Sequence, residues 1–235
     1  MRRLRGIWAA LRGRAGAEHG TTLAELMIVI MLLGLVVAPA VTFLISSQRN
    51  EKTVSDSVQQ QQDARLALEQ FSRALRESSY PQGLTYSQSS LFDAAADNDV
   101  TFYTDIDTDG IIEKVRYWLD SGNAQILRTV TDPDCTQSPC SYGATATATT
   151  TTVITNVRNA DLTACQGQSG TQALFLYYSV DRGTGAQNAI SSGGTINNLV
   201  DINYVKMTVV VDITPGKSPT CQTLETAVSL RNWRG

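Results

Sequence analysis

The sequence predicts an α+β protein in which one long N-terminal helix, apolar in its first half, packs on an antiparallel β-sheet. Three observations predict it. Leu26 to Ile45 contains no charged side chain. Residues 46–79 continue without a Gly or a Pro. After Gly83 the apolar period changes from three-to-four to two, the change from helix to strand.

The helix is expected over 21–80. Its part 26–45, at about 1.5 Å per residue, covers about 30 Å, the thickness of the hydrocarbon layer, and reads as membrane-spanning. Gly34 and Pro39 interrupt the apolar run. Membrane helices tolerate both, although Pro39 removes an amide donor and loosens the helix there. Beyond it Val54, Val58, Leu68, Phe71 and Leu75 recur at three- and four-residue steps, mostly among polar residues, which makes this half amphipathic. Pro81 and Gly83 stop it.

The globular domain is expected over 81–235. VTFYTDI (100–106), IEKVRYWL (112–119) and QILRTV (125–130) read as strands joined by DTDG and DSGN, an antiparallel meander. GATATATTTT (143–152) reads as an exposed connection running into VITNV, and 183–198 as a flexible loop. ALFLYYSV (173–180), VKMTVVVDIT (205–214) and TAVSLRNW (226–233) supply the remaining strands. Alternation places about half of Phe102, Tyr103, Tyr117, Trp118, Tyr177 and Tyr178 inside, so they read as core more than as an adhesive surface.

Charge is distributed unevenly. Residues 1–20 hold Arg2, Arg3, Arg5, Arg12 and Arg14 against Glu18, a net of +4; the chain totals −3, so residues 21–235 carry −7. A basic tip before an apolar run stays in the cytoplasm, with the acidic remainder across the membrane. Nothing in this pattern points to nucleic acid. Cys135, Cys140, Cys165 and Cys221 all lie in the exported part, where an even number reads as disulfides. Cys135 and Cys140 enclose TQSP, a tight loop, and are paired on that ground; Cys165 then pairs with Cys221. Zinc fits poorly, for want of CxxC spacing and of a nearby His.

Residues 20–45 resemble the signal segment of type IV pilins and type II secretion pseudopilins. The basic leader, Gly20, the run TTLAEL and a hydrophobic helix continuing into an amphipathic one carry the resemblance. The family motif is a Gly, an aromatic, then T-L-x-E; Gly20, Thr22, Leu23 and Glu25 match, while Thr21 stands where Phe or Met is commoner. ARLALEQFSRALRES, VTFYTDIDTDGIIEKVRYWL and TAVSLRNW are similar, more loosely, to minor pilins and the larger minor pseudopilins. The resemblance implies a pilin-like fold and a prepilin peptidase that cuts after Gly20 on the cytoplasmic side, removing leader 1–20 and sparing the apolar helix. Thr21 would then be the first, methylated residue. Val54 and Val58 would meet neighbouring subunits, and Leu68 to Leu75 the domain's own sheet.

Glu25 is the physical puzzle in this segment, because a carboxylate at the lip of a membrane helix is expensive. The helix start favours a negative charge. In a filament, the freed amine of Thr21 and a neighbour's Glu25 can pair in a low dielectric. An unpaired buried carboxylate would cost several kcal/mol, so pairing selects the axial register. Glu25, with Thr22 and Leu23, is therefore expected to be an assembly contact. The competing reading is an adhesion or binding protein that never polymerises, either membrane-anchored or released by an ordinary secretory signal cut after Ala40 in Ala38-Pro39-Ala40, which makes Val41 its first residue. The basic region of such a signal would be unusually long and end in an acid.

Asp105, Asp107, Asp109 and Gly110 form DIDTDG, which resembles the first half of an EF-hand loop, with Glu113 at the ninth position. The twelfth position, normally a bidentate Glu, is Arg116, and a polar hairpin turn is the competing reading. Calcium is the only cofactor the sequence suggests. No enzyme is expected: the sole His, His19, leaves with the leader, so no Ser-His or Cys-His nucleophile remains, and no glycine-rich phosphate loop joins a strand to a helix. The sequence reads as a minor, initiating or tip subunit of a pilus-like or pseudopilus filament. It would be anchored once in the inner membrane before assembly, with sister pilins and the prepilin peptidase as partners.

Overall fold

The structure, a computed structural model, describes residues 22–84, 90–143, 146–165, 167–181, 183–190, 195–196, 198–214 and 221–231. Gly20 and Thr21, which flank the expected cut, lie outside these ranges, as does the end of the expected 226–233 strand. The chain divides between Lys52 and Thr53 into two units.

The described part of the first unit is helical. Helix α1 spans Leu23–Arg76, 54 residues, and passes through Pro39 without a break. It is long and apolar enough to cross a membrane, and every residue from Thr22 to Lys52 is exposed. Two of the hydroxyls here bond to the helix itself: Thr42 Oγ1 donates to Ala38 O (2.9 Å) and Ser46 Oγ to Phe43 O (2.9 Å). Such back-bonding satisfies a hydroxyl without water.

The second unit combines the end of α1 with two antiparallel sheets. Strands β1 (Phe92–Ala96), β2 (Asp99–Thr104), β3 (Glu113–Asp120), β4 (Gln125–Asp132) and β5 (Thr147–Ile154) lie side by side in chain order. The second sheet has the order β7-β6-β8-β9, with β6 Phe175–Val180, β7 Gln187–Ile190, β8 Tyr204–Asp212 and β9 Cys221–Ser229. On α1 the buried face is Ala64, Ala67, Leu68, Phe71, Ser72, Ala74 and Leu75, a three-and-four periodicity. Leu68, Phe71 and Leu75 thus pack as the sequence pattern predicts, whereas Val54 and Val58 stay exposed.

Phe71 lies where the helix meets both sheets. Its ring is edge-on to Tyr117 of β3 (5.2 Å) and Phe102 of β2 (6.2 Å), and tilted against Phe175 of β6 (5.5 Å). Of the six aromatics singled out in the sequence, Phe102, Tyr103, Tyr117 and Tyr177 are buried, while Trp118 and Tyr178 are half-buried. Asn159 knits the second sheet from inside. Its Nδ2 donates to Thr208 O (2.8 Å) and Gln172 O (3.2 Å), and its Oδ1 accepts from Val210 N (2.8 Å), so this buried amide is fully used.

Several sequence expectations are corrected. The sheet is two sheets, not one. GATATATTTT is not a connection: its residues from Thr147 form β5, in register with β4 from Leu127↔Thr152 to Asp132↔Thr147. Threonine suits a pleated strand even where nothing is buried. Part of the expected 183–198 loop is β7, paired Tyr177↔Ile190 to Val180↔Gln187. Strand β1 adds to the expected set; FDAAA has a weak strand pattern, and its Phe92↔Phe102 pairing to β2 holds it. Strand β9 begins at Cys221, ahead of the expected start. Helix α1 ends at Arg76, before Pro81, because the backbone changes partner: Ser78 bridges to Thr104 and Ser79 N donates to Tyr103 O (2.8 Å). The disulfides join Cys135 to Cys140 and Cys165 to Cys221, the pairing read from the sequence.

Candidate functional site

In the first unit the start of α1 is the place of interest. Thr22 is its N-cap: Glu25 N donates to Thr22 Oγ1 (3.3 Å) and to Thr22 O (2.9 Å). Thr22-Leu23-Ala24-Glu25 has the T-x-x-E form of a capping box, a local signal for a helix start that stands in the sequence independently of the pilin resemblance. The cap uses the Glu25 amide; the Glu25 carboxylate has no partner among the described residues. Leu23, next to it, is exposed. The arrangement sets a helix start with an uncommitted acid in its first turn, where the helix dipole favours it.

In the second unit the β2–β3 turn gathers Asp105, Asp107, Asp109 and Glu113, each offering a carboxylate oxygen within 4.8 Å of the others. Backbone amides shape the turn. Asp105 Oδ1 accepts from Thr108 N (2.6 Å) and Oδ2 from Gly110 N (3.0 Å); Asp107 Oδ1 accepts from Asp109 N (3.2 Å) and Asp109 Oδ1 from Ile111 N (2.7 Å). Gly110 has φ +89° and Thr108 +66°, the left-handed positions a sharp turn needs. Glu113 begins β3, is 4% exposed, and its Oε2 accepts from Ile106 N (2.8 Å). Burial pushes its carboxyl above the ordinary range; the Ile106 amide opposes this, and the charges of Asp107 and Asp105 add to it.

These residues could hold a hard divalent cation. The donors are all oxygens, and Asp107 Oδ2 and Asp109 Oδ2 are not used by the turn's own amides. Arg116, at the position where an EF-hand loop has its closing bidentate Glu, sits on β3 with its guanidinium on the Asp99 carboxylate and adds no oxygen to the shell.

The turn has a support that the sequence did not reveal. Tyr142, just after the Cys135–Cys140 loop, donates its hydroxyl to Ile112 O (2.6 Å) and accepts from Gln82 N (3.0 Å), while its ring lies 5.1 Å from Tyr103 and under Lys114. Burial, reinforced by the Asp93 hydrogen bond (2.8 Å), holds the Tyr103 hydroxyl protonated well above the ordinary tyrosine range. No family model, curated protein or solved structure matches this chain.

Proposed function

We propose that this chain is a minor subunit, initiating or at the tip, of a pilus-like or pseudopilus filament. A prepilin peptidase cuts it after Gly20, and it is held in the inner membrane by α1 until it assembles. The observation that carries this reading is α1 itself: one helix, capped at Thr22, exposed on every side through its apolar first half, with its far end built into the core of the second unit. A cleaved secretory signal has no need of such continuity. Outside a bilayer the apolar half needs other apolar helices around it, and packed copies of the same segment meet that need. The uncommitted Glu25 carboxylate then meets the amine freed at Thr21 of an adjacent subunit, in a low-dielectric setting where a lone charge is costly.

Glu25→Ala tests this. It is expected to leave membrane insertion and folding of the second unit intact while depleting the protein from sheared filaments or secretion tips about tenfold or more, the consequence of losing a buried charge pair. Wild-type incorporation of the variant would refute the role given to Glu25. Amino-terminal sequencing of the mature chain is a separate check: Thr21 is expected, and Val41 would identify a released protein instead.

A further inference from the structure

Strand β9 is the last strand of its sheet, and no described residue pairs with its outer edge. Thr208 N donates to Leu174 O on the β6 side, so the even-numbered residues of β8 face β6 and the odd-numbered ones face β9. The register Val205↔Val228, Met207↔Thr226 and Val209↔Leu224 therefore leaves the amides and carbonyls of Thr223, Glu225, Ala227 and Ser229 directed away from β8. All four residues are exposed, and their backbone groups have no partner among the described residues. Proteins usually blunt such an edge with Pro, a bulge or charged side chains; β9 has no Pro and no bulge along its length, and its one charge, Glu225, is paired with Lys206.

A groove of about 930 Å³ runs between this strand and α1. Its floor is tied by Ser72 Oγ and Thr226 Oγ1, 2.7 Å apart. Its walls carry four arginines, Arg65, Arg73, Arg76 and Arg231, against Glu69, Glu77 and Glu225. Two of those acids are committed: Glu225 to Lys206 (2.8 Å) and Glu69 to Arg73 (3.9 Å). Arg65, Arg76 and Arg231 are exposed and have no ion-pair partner among the described residues. In a chain of net charge −3, this is a locally positive trough beside an unpaired strand edge. Arg65 and Arg76 are about 16 Å apart along the helix, the span of about five extended residues.

We infer that the free edge of β9 is a docking strand for an extended acidic segment of a partner protein. The segment's backbone continues the sheet, and its carboxylates, on alternate residues, are taken by Arg65, Arg76 and Arg231. The edge supplies main-chain hydrogen bonds and the arginines supply selection, the division of labour in recognition by strand addition. Arginine forks favour carboxylates bidentately, and among the described residues no aromatic side chain lines the groove for bases to stack on, which favours a peptide over a nucleic acid. The inference stands whether or not the chain polymerises.

The test uses the full chain in detergent micelles and an acetylated, amidated peptide of alternating Asp and Thr, with the Lys-Thr peptide and a single-stranded oligonucleotide as comparators. The acidic peptide is expected to bind and to slow amide exchange at Thr223, Glu225, Ala227 and Ser229. Arg65→Glu, Arg76→Glu and Arg231→Glu should each weaken it about tenfold, with circular dichroism unchanged because all three side chains are exposed. Arg65→Gln, which removes charge without reversing it, should weaken it less than Arg65→Glu does. No binding at millimolar peptide, equal binding of the Lys-Thr peptide, tighter binding of the oligonucleotide, or binding without protection along β9 would each overturn the inference.

Discussion

Phe71→Ala probes the joint between helix and sheets. The side chain is 0% exposed and touches rings from β2, β3 and β6. Truncating a buried Phe costs about 3–5 kcal/mol through lost transfer energy and the cavity left behind. Each aromatic pair adds about 0.5–1.5 kcal/mol beyond area, which places this site at the upper end, about 4–5 kcal/mol. Collapse is hindered because the walls belong to three different elements. For a unit of this size each kcal/mol moves the thermal midpoint by about 2–4 °C, so a drop of about 10–15 °C is expected. Near-ultraviolet circular dichroism of the full chain in detergent follows the aromatic core directly. Leu66→Ala is the control: Leu66 lies on the same helix, is 55% exposed, and should change stability by no more than about 0.5 kcal/mol. A Phe71→Ala midpoint within about 3 °C of wild type would refute the idea that this ring couples both sheets to the helix.

The two disulfides should differ in value. Cys165–Cys221 closes a separation of 56 residues and Cys135–Cys140 one of 5. Chain entropy then assigns about 4 kcal/mol to the first and about 2 kcal/mol to the second, so paired Cys→Ala variants compared by denaturant unfolding should rank in that order, and equal losses would contradict it. The acidic turn should take calcium weakly, in the range of about 10⁻⁴–10⁻³ M typical of extracellular sites. At about 10 mM calcium this stabilises the fold by about 1.4–2.7 kcal/mol, read as a higher thermal midpoint that Asp109→Asn diminishes; no shift and no heat of binding would show the turn to be a polar hairpin alone.

Much of the architecture is legible in the sequence because it rests on periodicity. The stripe Leu68, Phe71, Leu75 and the alternation in VTFYT and KVRYWL state directly which faces turn inward. The strands without such a signal lack it for physical reasons. Strand β5 buries nothing until Ile154, so its composition resembles a linker; β7 is four residues paired, among the described residues, with β6 alone; β1 relies on Phe92 meeting Phe102 across the pair. The same division applies to the sites. Asp105, Asp107, Asp109 and Glu113 are close in sequence, and local turn chemistry brings them together. Tyr142 and Gln82 are 60 residues apart, Arg65 and Arg231 line one groove from opposite ends of the second unit's sequence, and no local pattern announces such meetings.

Strand β5 also has a bearing on how this molecule can change over generations. From Thr147 to Thr152 both faces of the ribbon lie open to solvent, so replacements among small polar or branched residues there disturb no packing, and even a short insertion at its outer border would leave the interior untouched. That border is a blank margin on which new epitopes, sugars or sticky side chains could be written while the rest of the architecture stays constant.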